Sequence, residues 1–173
     1  MKTLILGGVR SGKSRWAEQT ALASGLDVCY IATAQALDSA MHTRIESHRA
    51  RRPAHWRTLE EPLAVANCLQ EIARGDRCII VDCLTLWLTN LLLNDDPQRL
   101  TTELESLYSV LPTLRGTLIL VSNETGLGIT PIGDLTRQFG DAAGLMHQQL
   151  ATLCDRVILT VAGLPLTLKD NSR

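Results

Sequence analysis

The chain has 173 residues, of which 45% are hydrophobic and 20% are charged, a composition typical of one globular domain with a sizeable core. Its 17 basic and 18 acidic residues give a net charge of −1, which argues against a protein that binds nucleic acid over its whole surface. Three tryptophans, two tyrosines and one phenylalanine are too few for a platform that stacks single-stranded nucleic acid.

Segments that predict strands and helices alternate along the chain, mostly with glycine or proline at their ends. The first half contains a strand at Thr3–Leu6, a helix at Ser14–Ser24, a strand at Asp27–Ala32, helices at Leu37–Arg52 and Pro62–Arg74, and a strand at Arg77–Asp82. The second half contains helices at Leu84–Leu93 and Pro97–Leu114, a strand at Thr117–Ser122, a helix at Gly133–Leu153, a strand at Arg156–Val161 and a candidate sixth strand at Leu166–Lys169. This alternation, with no linker or repeat, predicts a single α/β domain over residues 1–173, with helices on both faces of a mostly parallel sheet.

The cysteines and the apolar runs indicate the compartment. Five cysteines, an odd number with no C-x-x-C pair, are typical of buried free thiols in a reducing cytosol. The apolar run Thr3–Leu6 is too short for the core of a signal peptide. No stretch of about 18 consecutive apolar residues occurs, so we expect no membrane span. The sequence therefore predicts a cytoplasmic protein.

The strongest local motif joins the first predicted strand to the first predicted helix. It matches the phosphate-binding pattern G-x-x-x-x-G-K-[ST] in full and consists of Gly7, Gly8, Val9, Arg10, Ser11, Gly12, Lys13 and Ser14. In this context backbone N–H groups and the positive end of the helix dipole bind phosphate. We expect Lys13 to reach the β- and γ-phosphates and Ser14 to bind Mg²⁺. The full match disfavours the alternative, a glycine-rich turn with an incidental lysine.

A second ligand for Mg²⁺ is expected at the end of a neighbouring strand, and Asp82 occupies such a position. It follows the apolar run Cys78–Val81, which predicts a strand that delivers a carboxylate to the carboxyl edge of the sheet. The alternative is that Asp82 caps the next helix, because aspartate is also a favoured N-cap residue.

The motifs of other nucleotide-binding classes are missing from this sequence. The N-K-x-D motif of switch GTPases is missing, and the D-x-x-G sequence Asp141–Gly144 falls inside a predicted helix. The G-x-G-x-x-G fingerprint of dinucleotide folds is missing as well. The leading class is therefore phosphoryl or nucleotidyl transfer to a small acceptor.

The stretch His42–Arg57 is strongly basic, with five arginines against one glutamate and three of the four histidines. A helix that ends before Pro53 places four side chains on one face, those of Arg44, His48, Arg51 and Arg52. Arginines bind phosphate oxygens bidentately, and a neutral imidazole can attack phosphorus. The alternative is a solvated basic helix with a surface histidine, and these residues alone favour that alternative.

Further segments accompany the phosphate loop in a fixed order. They are Tyr30–Gln35, Arg44-Ile45-x-x-His48, Arg52-Pro53, Trp56-Arg57-Thr58-x-Glu60, Val81–Thr85, Thr89–Leu91, Ser122-Asn123-Glu124-x-Gly126-x-Gly128-Ile129-x-Pro131 and Phe139-x-Asp141-x-x-Gly144. With these segments the chain resembles, over essentially its whole length, the bifunctional adenosylcobinamide kinase/adenosylcobinamide-phosphate guanylyltransferases of cobalamin biosynthesis. The block around His48 and the block Asn123–Pro131 make the match specific.

The resemblance implies two reactions on a RecA-like P-loop sheet. The family phosphorylates the aminopropanol hydroxyl of adenosylcobinamide with ATP or GTP. It then transfers GMP from GTP to a histidine, releasing pyrophosphate, and passes the GMP to adenosylcobinamide phosphate, which gives adenosylcobinamide-GDP. The resemblance also implies a homotrimer, and we expect Mg²⁺ as the cation and neither a nucleic-acid partner nor a membrane span.

The resemblance also assigns site residues. The guanylylated histidine of the family aligns with His48, and position 47, which can be a second histidine in the family, is Ser47 here. We expect Lys13 to be the other catalytic residue. Nucleotide contacts carry over to the phosphate loop and to Thr33, Ala34, Gln35, Arg49, Ala50, Arg51, Arg52, Glu60 and Asp82.

Other residues of the matching segments have no assigned chemistry. Asn123, Glu124 and Gly128 lie just after a predicted strand and either shape the catalytic pocket or form turns. His55 is interpreted as structural or peripheral, and His42 and His147 have no motif support.

Two alternatives from other classes remain open from the sequence. A P-loop kinase of another small alcohol would use His48 only as part of a basic face. A nucleotide-dependent regulatory module would perform no acceptor chemistry, and the missing switch motifs disfavour it. An acid-labile enzyme–GMP adduct distinguishes the first alternative from the two-step reaction, and multiple turnover with cobinamide distinguishes the second.

Overall fold

The computed structural model describes residues 1–35, 39–128 and 132–171. The predicted start of a helix at Leu37, and the motif residues Ile129 and Pro131, lie outside the described residues. Within one helix the side chains of five residues also lie outside them, those of Ala40, Met41, Arg44, His48 and Arg51.

Seven strands and six helices form the described part of the chain. The strands are β1 (Lys2–Gly7), β2 (Asp27–Ala32), β3 (Arg57–Glu60), β4 (Arg77–Asp82), β5 (Thr117–Asn123), β6 (Arg156–Val161) and β7 (Leu164–Asp170). The helices are α1 (Lys13–Ala23), α2 (Ser39–Arg51), α3 (Val65–Ile72), α4 (Leu84–Leu92), α5 (Arg99–Val110) and α6 (Asp134–Leu153), and a 3₁₀ turn at Leu111–Thr113 follows α5. No helix among these is long and apolar enough to cross a membrane.

The strands form a single sheet in the order β3-β2-β4-β5-β1-β6-β7. Neighbouring strands are parallel except for β7, which runs antiparallel to β6. The carboxyl ends of six parallel strands therefore meet at one edge, where ligands bind in open α/β sheets. The prediction of a mostly parallel α/β sheet is confirmed.

Alternating strand residues pack into two cores. Ile79 and Val81 of β4 face α3, α4, α5 and α6, whereas Cys78 and Ile80 face α1 on the opposite side of the sheet. Trp87 of α4 is fully buried in the larger core. Burial of each large apolar side chain contributes roughly 1.5–3 kcal/mol, so these two faces hold the helices against the sheet. Helices on both faces are therefore confirmed.

One strand was missed by the sequence prediction. β3 has four residues, with the two at its ends exposed and the two in its middle half-buried, and it pairs with β2 at the edge of the sheet. Such a short, polar edge strand lacks the apolar run that marks a buried parallel strand. The candidate strand Leu166–Lys169 is real but longer, and it is antiparallel.

The boundaries of two helices were predicted wrongly. The helix predicted at Pro62–Arg74 begins only at Val65, and before it the carboxylate of Glu61 accepts the backbone N–H groups of Leu63 and Ala64. It ends at Ile72, where the next residue is extended. The α-helix predicted at Pro97–Leu114 is α5, and Leu111–Thr113 is a 3₁₀ turn around a proline, which cannot donate a helical hydrogen bond.

Candidate active site

The strand register brings the predicted site residues to the same edge of the sheet. Ala32 at the end of β2 pairs with Glu60 of β3 on one side and Asp82 of β4 on the other. At the centre of the sheet, Gly7 of β1 pairs with Asn123 of β5. The phosphate loop, Asp82 and the Asn123–Glu124 segment therefore follow three adjacent strands.

The phosphate loop is a tight turn that leads into α1. The N–H of Ser11 donates to the carbonyl of Gly8 at 3.2 Å, and the ammonium of Lys13 donates to the same carbonyl at 3.2 Å. Gly12 has φ +98°, in the left-handed region that favours glycine, and the Lys13 side chain is only 8% exposed. The loop thus holds the lysine ammonium against its own backbone at the start of a helix, where anions bind.

Residues of β6 and of the turn between β6 and β7 brace this loop. The N–H of Gly163 donates to the carbonyl of Ser11 at 2.9 Å, and a Cβ at Gly12 would lie 3.1 Å from the Cα of Gly163. The buried Thr160 hydroxyl donates to the carbonyl of Leu6 and lies 3.0 Å from the Ser11 hydroxyl, which therefore donates to it. Sequence reasoning missed this brace, because Thr160 and Gly163 carry no motif.

Asp82 accepts a hydrogen bond from a tyrosine whose ring lies beneath an arginine. The hydroxyl of Tyr30 donates to Oδ2 of Asp82 at 2.7 Å, and the guanidinium of Arg52 lies 3.4 Å from the centre of the Tyr30 ring. Burial, and next the charge of Asp82, raises the pKa of Tyr30 well above its ordinary value, so the phenol stays a donor. The N-cap of α4 is Cys83, and no side chain caps that helix, so Asp82 is not a helix cap.

Thr33, a predicted nucleotide contact, is fully buried. Its hydroxyl donates to the carbonyl of Cys83 at 2.7 Å and accepts the N–H of Cys83 at 3.0 Å. The amide of Asn90 donates to the Thr33 carbonyl at 2.8 Å. Thr33 therefore fixes the backbone that follows Asp82, while Ala34 is half-buried and Gln35 is exposed beside it.

The basic segment contributes a small open cavity. Its volume is about 200 Å³, and its lining residues are Arg49, Arg52, Pro53, Ala54, Trp56 and Thr58. Arg49 and Ala50 are exposed, and Arg52 is half-buried. The helix that carries His48 is present as α2, but the side chains of His48 and Arg51 lie outside the described residues. Glu60 is exposed at the end of β3.

A buried polar network, which we call the Ser122–His147 network, lies beside the phosphate loop. Nε2 of His147 is 2.8 Å from the Ser122 hydroxyl, and Nδ1 is 3.5 Å from Oε2 of Glu124. The Ser122 hydroxyl is 3.2 Å from the Thr85 hydroxyl, which accepts the N–H of Asn123 at 2.6 Å. No sequence pattern pointed to His147, because its partners Ser122 and Glu124 lie 25 and 23 positions away, in β5 and directly after it.

The pKa of His147 predicts how stability depends on pH. Burial lowers this pKa, and the Glu124 carboxylate raises it by less. An unfolded histidine has a pKa of about 6.5, so the unfolded chain binds more protons than the folded one just below that pH. The contribution of the neutral, buried His147 to the free energy of unfolding is complete above about pH 6.5 and is lost as pH falls through the folded-state pKa. We expect His147→Gln to flatten this part of the pH profile of unfolding free energy, measured by urea denaturation. Equal pH profiles for both proteins would contradict this assignment.

Solved structures share the fold at low sequence identity. The RadB recombinase matches with a TM-score of 0.51 and 16% identity, over 91% of this chain and 73% of that chain. An ATP synthase subunit, NeqB from Nanoarcheaum equitans, matches with a TM-score of 0.52 and 15% identity, over 91% of this chain and 46% of that chain. With the complete phosphate loop, this likeness defines the protein as a P-loop nucleotide-binding protein of the α/β class.

Relatives at higher identity define the family. The family model described as "Cobinamide kinase / cobinamide phosphate guanyltransferase" matches residues 3–168. The bifunctional adenosylcobalamin biosynthesis protein CobP of Pseudomonas aeruginosa is 64% identical over 169 residues, which cover 98% of each chain. The protein CobU of Escherichia coli, described in the same words, is 37% identical over 98% of this chain and all of its own. The chain belongs to the cobinamide kinase / cobinamide phosphate guanyltransferase family, whose members are bifunctional transferases of cobalamin biosynthesis.

Proposed function

We propose that the protein phosphorylates adenosylcobinamide with ATP or GTP and then transfers GMP from GTP, through His48, to adenosylcobinamide phosphate. The observation that carries this proposal is the pairing of two features within one family member. A complete phosphate loop holds a buried Lys13, and the basic helix α2 bears His48. A single nucleotide site with a nucleophile on an adjoining helix suits both reactions.

In the first reaction the substrate hydroxyl attacks the γ-phosphorus of the nucleotide. A new O–P bond forms, and the bond between the γ-phosphorus and the bridging oxygen breaks, so that the electron pair leaves with the nucleoside diphosphate. The backbone N–H groups of Gly7–Ser14 and the ammonium of Lys13 stabilise the negative charge on the transferring phosphates. The brace from Thr160 and Gly163 supports this role, because it fixes the loop before the nucleotide binds.

In the second reaction an imidazole nitrogen of His48 attacks the α-phosphorus of GTP, and pyrophosphate leaves. The guanidinium groups of Arg49, Arg51 and Arg52 suit the phosphate oxygens, with Thr33, Ala34, Gln35, Ala50, Glu60 and Asp82 as the remaining nucleotide contacts. A phosphate oxygen of adenosylcobinamide phosphate then attacks the same phosphorus and releases the histidine. The exposed Arg49 and the cavity beside Arg52 support a phosphate site on this side of the molecule.

Ser14 and Asp82 suit a magnesium ion at this site. Hydroxyl and carboxylate oxygens are ligands that Mg²⁺ prefers, and the ion usually combines one or two of them with substrate phosphates and water. Among the described residues, no group of three or more His, Cys, Asp or Glu side chains could hold a metal without such help. When bound, Mg²⁺ would neutralise charge on the phosphates and on the leaving group.

Replacing Asp82 by asparagine tests this assignment. Asparagine preserves the shape and can accept the Tyr30 hydroxyl, but it lacks the negative charge that attracts the cation. We expect the Mg²⁺ concentration for half-maximal rate to rise about tenfold or more in both reactions. Tyr30→Phe is the matched control, because it removes the hydrogen bond to Asp82 and keeps the ring beneath Arg52. An unchanged Mg²⁺ titration for Asp82→Asn would show that the carboxylate has no role toward the cation.

We propose a cytoplasmic homotrimer. The apolar face of β7 and the end of β6 supports self-association, because Val161, Leu164, Leu166 and Leu168 are each more than half exposed. Edge strands with such faces are unusual in monomers. The mass in solution, compared with 19.0 kDa for one chain, tests this proposal.

The two-step proposal is tested by incubation of the protein with α-labelled GTP and Mg²⁺, followed by mapping of the labelled residue. We expect an acid-labile label on His48 and its transfer to added adenosylcobinamide phosphate. A protein that phosphorylates a small alcohol without any adduct would be a simple kinase, and one without turnover would be a regulatory module.

A further inference from the structure

The hydrogen bonds of the Ser122–His147 network run in one direction. The Glu124 carboxylate only accepts, so Nδ1 of His147 carries the proton on that side. Since burial keeps the imidazole neutral, Nε2 has no proton and accepts from the Ser122 hydroxyl. Because the Ser122 hydroxyl donates its proton to Nε2, it can only accept from Thr85, so the Thr85 hydroxyl donates to Ser122. The backbone N–H of Asn123 donates to Thr85 and completes a chain that ends on Glu124.

This series of hydrogen bonds fixes the position of the Glu124 carboxylate. Thr85, Ser122 and His147 are all less than 10% exposed, and they come from three different elements, α4, β5 and α6. The second oxygen of Glu124, Oε1, accepts the N–H of Gly126 at 2.6 Å. Burial of so many polar groups is costly unless each has a partner, and here the partners hold Glu124 from two sides.

Glu124 lies next to the phosphate loop and remains accessible. Its N–H donates to the carbonyl of Gly7 at 3.0 Å, so it directly follows the strand between β4, which ends at Asp82, and β1, which ends at the loop. Its side chain is 19% exposed, in contrast to the 8% of His147. The carboxylate can therefore be reached from the edge where the nucleotide binds.

The two proposed reactions differ in their need for a proton acceptor. The hydroxyl that attacks the γ-phosphorus must lose its proton, whereas the phosphate that attacks the α-phosphorus is already ionised at neutral pH. Asp82 is the other carboxylate on these central strands, but it is hydrogen-bonded to Tyr30 and assigned to the cation. A separate acceptor for the hydroxyl proton is therefore required only in the first reaction.

We propose that Glu124 accepts the proton of the substrate hydroxyl in the kinase reaction, and that His147, with Ser122 and Thr85 behind it, is its positioning residue. This inference rests on the proposed kinase function. As the hydroxyl oxygen bonds to the γ-phosphorus, its proton passes to an oxygen of Glu124, and the electron pair of the broken bond leaves with the nucleoside diphosphate. The exposed side of the carboxylate then returns the proton to water.

The test measures both reactions separately in the full-length protein carrying Glu124→Gln. We expect the kinase kcat to fall about 100-fold or more while the KM for nucleotide stays unchanged. Formation of the enzyme–GMP adduct and its transfer to supplied adenosylcobinamide phosphate should remain, which also shows that the variant is folded. Glu105→Gln, on the exposed face of α5, is the control and should match the wild type.

Two His147 variants test the positioning role. In His147→Asn the amide nitrogen can replace Nδ1, which donates to Glu124. In His147→Gln the amide nitrogen replaces Nε2, which faces Ser122. We therefore expect His147→Asn to retain more kinase kcat than His147→Gln, with equal KM for nucleotide in both. Equal losses in the two variants would overturn the positioning role.

Two results for Glu124→Gln would overturn the proposal. One is an unchanged kinase kcat. The other is an equal loss of the kinase and guanylyl transfer reactions, which would assign Glu124 to nucleotide or metal binding. If the proposed kinase function is itself wrong, the wild-type protein will not phosphorylate adenosylcobinamide. That outcome is distinct from both results for Glu124→Gln.

Discussion

His48→Ala should abolish the enzyme–GMP adduct and guanylyl transfer while leaving at least part of the kinase activity. Covalent transfer needs an unprotonated imidazole nitrogen to attack the α-phosphorus, and alanine offers no nucleophile. Direct transfer of the γ-phosphoryl group needs position and charge stabilisation rather than this nucleophile. Both reactions are measured on the same purified variant, with α-labelled GTP for the adduct.

Two further variants sharpen this test. His48→Asn keeps a polar side chain without the nucleophilic ring nitrogen, so it should fail in the same way as alanine. His55→Ala is the matched control, because His55 is an exposed histidine near the end of the same basic segment and should not be needed. An adduct that still forms in His48→Ala would place the nucleophile elsewhere, with His55 the next candidate. Loss of both activities in a folded variant would make His48 a shared nucleotide-binding residue.

The sequence predicted the features that depend on neighbouring residues. Strands β2, β4 and β6 have the predicted boundaries because each is an apolar run that is buried within the sheet. The phosphate loop was recognised because eight consecutive residues determine its shape. Asp82 was placed at the correct edge because a parallel strand delivers its last residue there.

The features that the sequence did not predict depend on distant residues. Thr160 braces Ser11 from 149 positions away, and His147 meets Ser122 across 25 positions. A single histidine on an amphipathic helix has the same pattern whether it faces an apolar core or a buried serine. The strand β3 was missed because its partner in the sheet is β2, and no local pattern reveals that pairing.

The same distinction explains why the contact of Arg52 with Tyr30, and the hydrogen bond from Tyr30 to Asp82, were found only in the structure. Tyr30 fits an apolar strand pattern, and its hydroxyl finds Asp82 only because β2 and β4 are neighbours in the sheet. Arg52 reaches the Tyr30 ring from the residue after α2. The residue after the helix that carries His48 thereby contacts a tyrosine of β2, and this tyrosine is hydrogen-bonded to Asp82 at the end of β4. This contact links the proposed guanylyl site to the proposed cation site.

Lys13→Ala should weaken nucleotide binding and lower the rates of both reactions by about 10²–10³-fold or more. The Lys13 ammonium is largely buried and donates to the carbonyl of Gly8, so it lies within the turn that should surround the phosphates. A positive charge in such a water-poor site stabilises the transferring phosphates more than it would in water. The fold should survive, since the two apolar cores are built from hydrophobic side chains of the strands and helices and Lys13 lies at the edge of the sheet. Nucleotide affinity is measured by calorimetry, and folding by thermal denaturation.

Lys2→Ala provides the matched control for this prediction. Lys2 begins β1, and the phosphate loop follows the other end of the same strand, so the control removes a lysine from the opposite edge of the sheet. We expect wild-type affinity and rates for Lys2→Ala. Because both reactions use one phosphate loop, Lys13→Ala should impair adduct formation and phosphorylation together, unlike His48→Ala and Glu124→Gln, which separate them. Wild-type nucleotide affinity in a folded Lys13→Ala protein would contradict the assignment of Gly7–Ser14 as the nucleotide site.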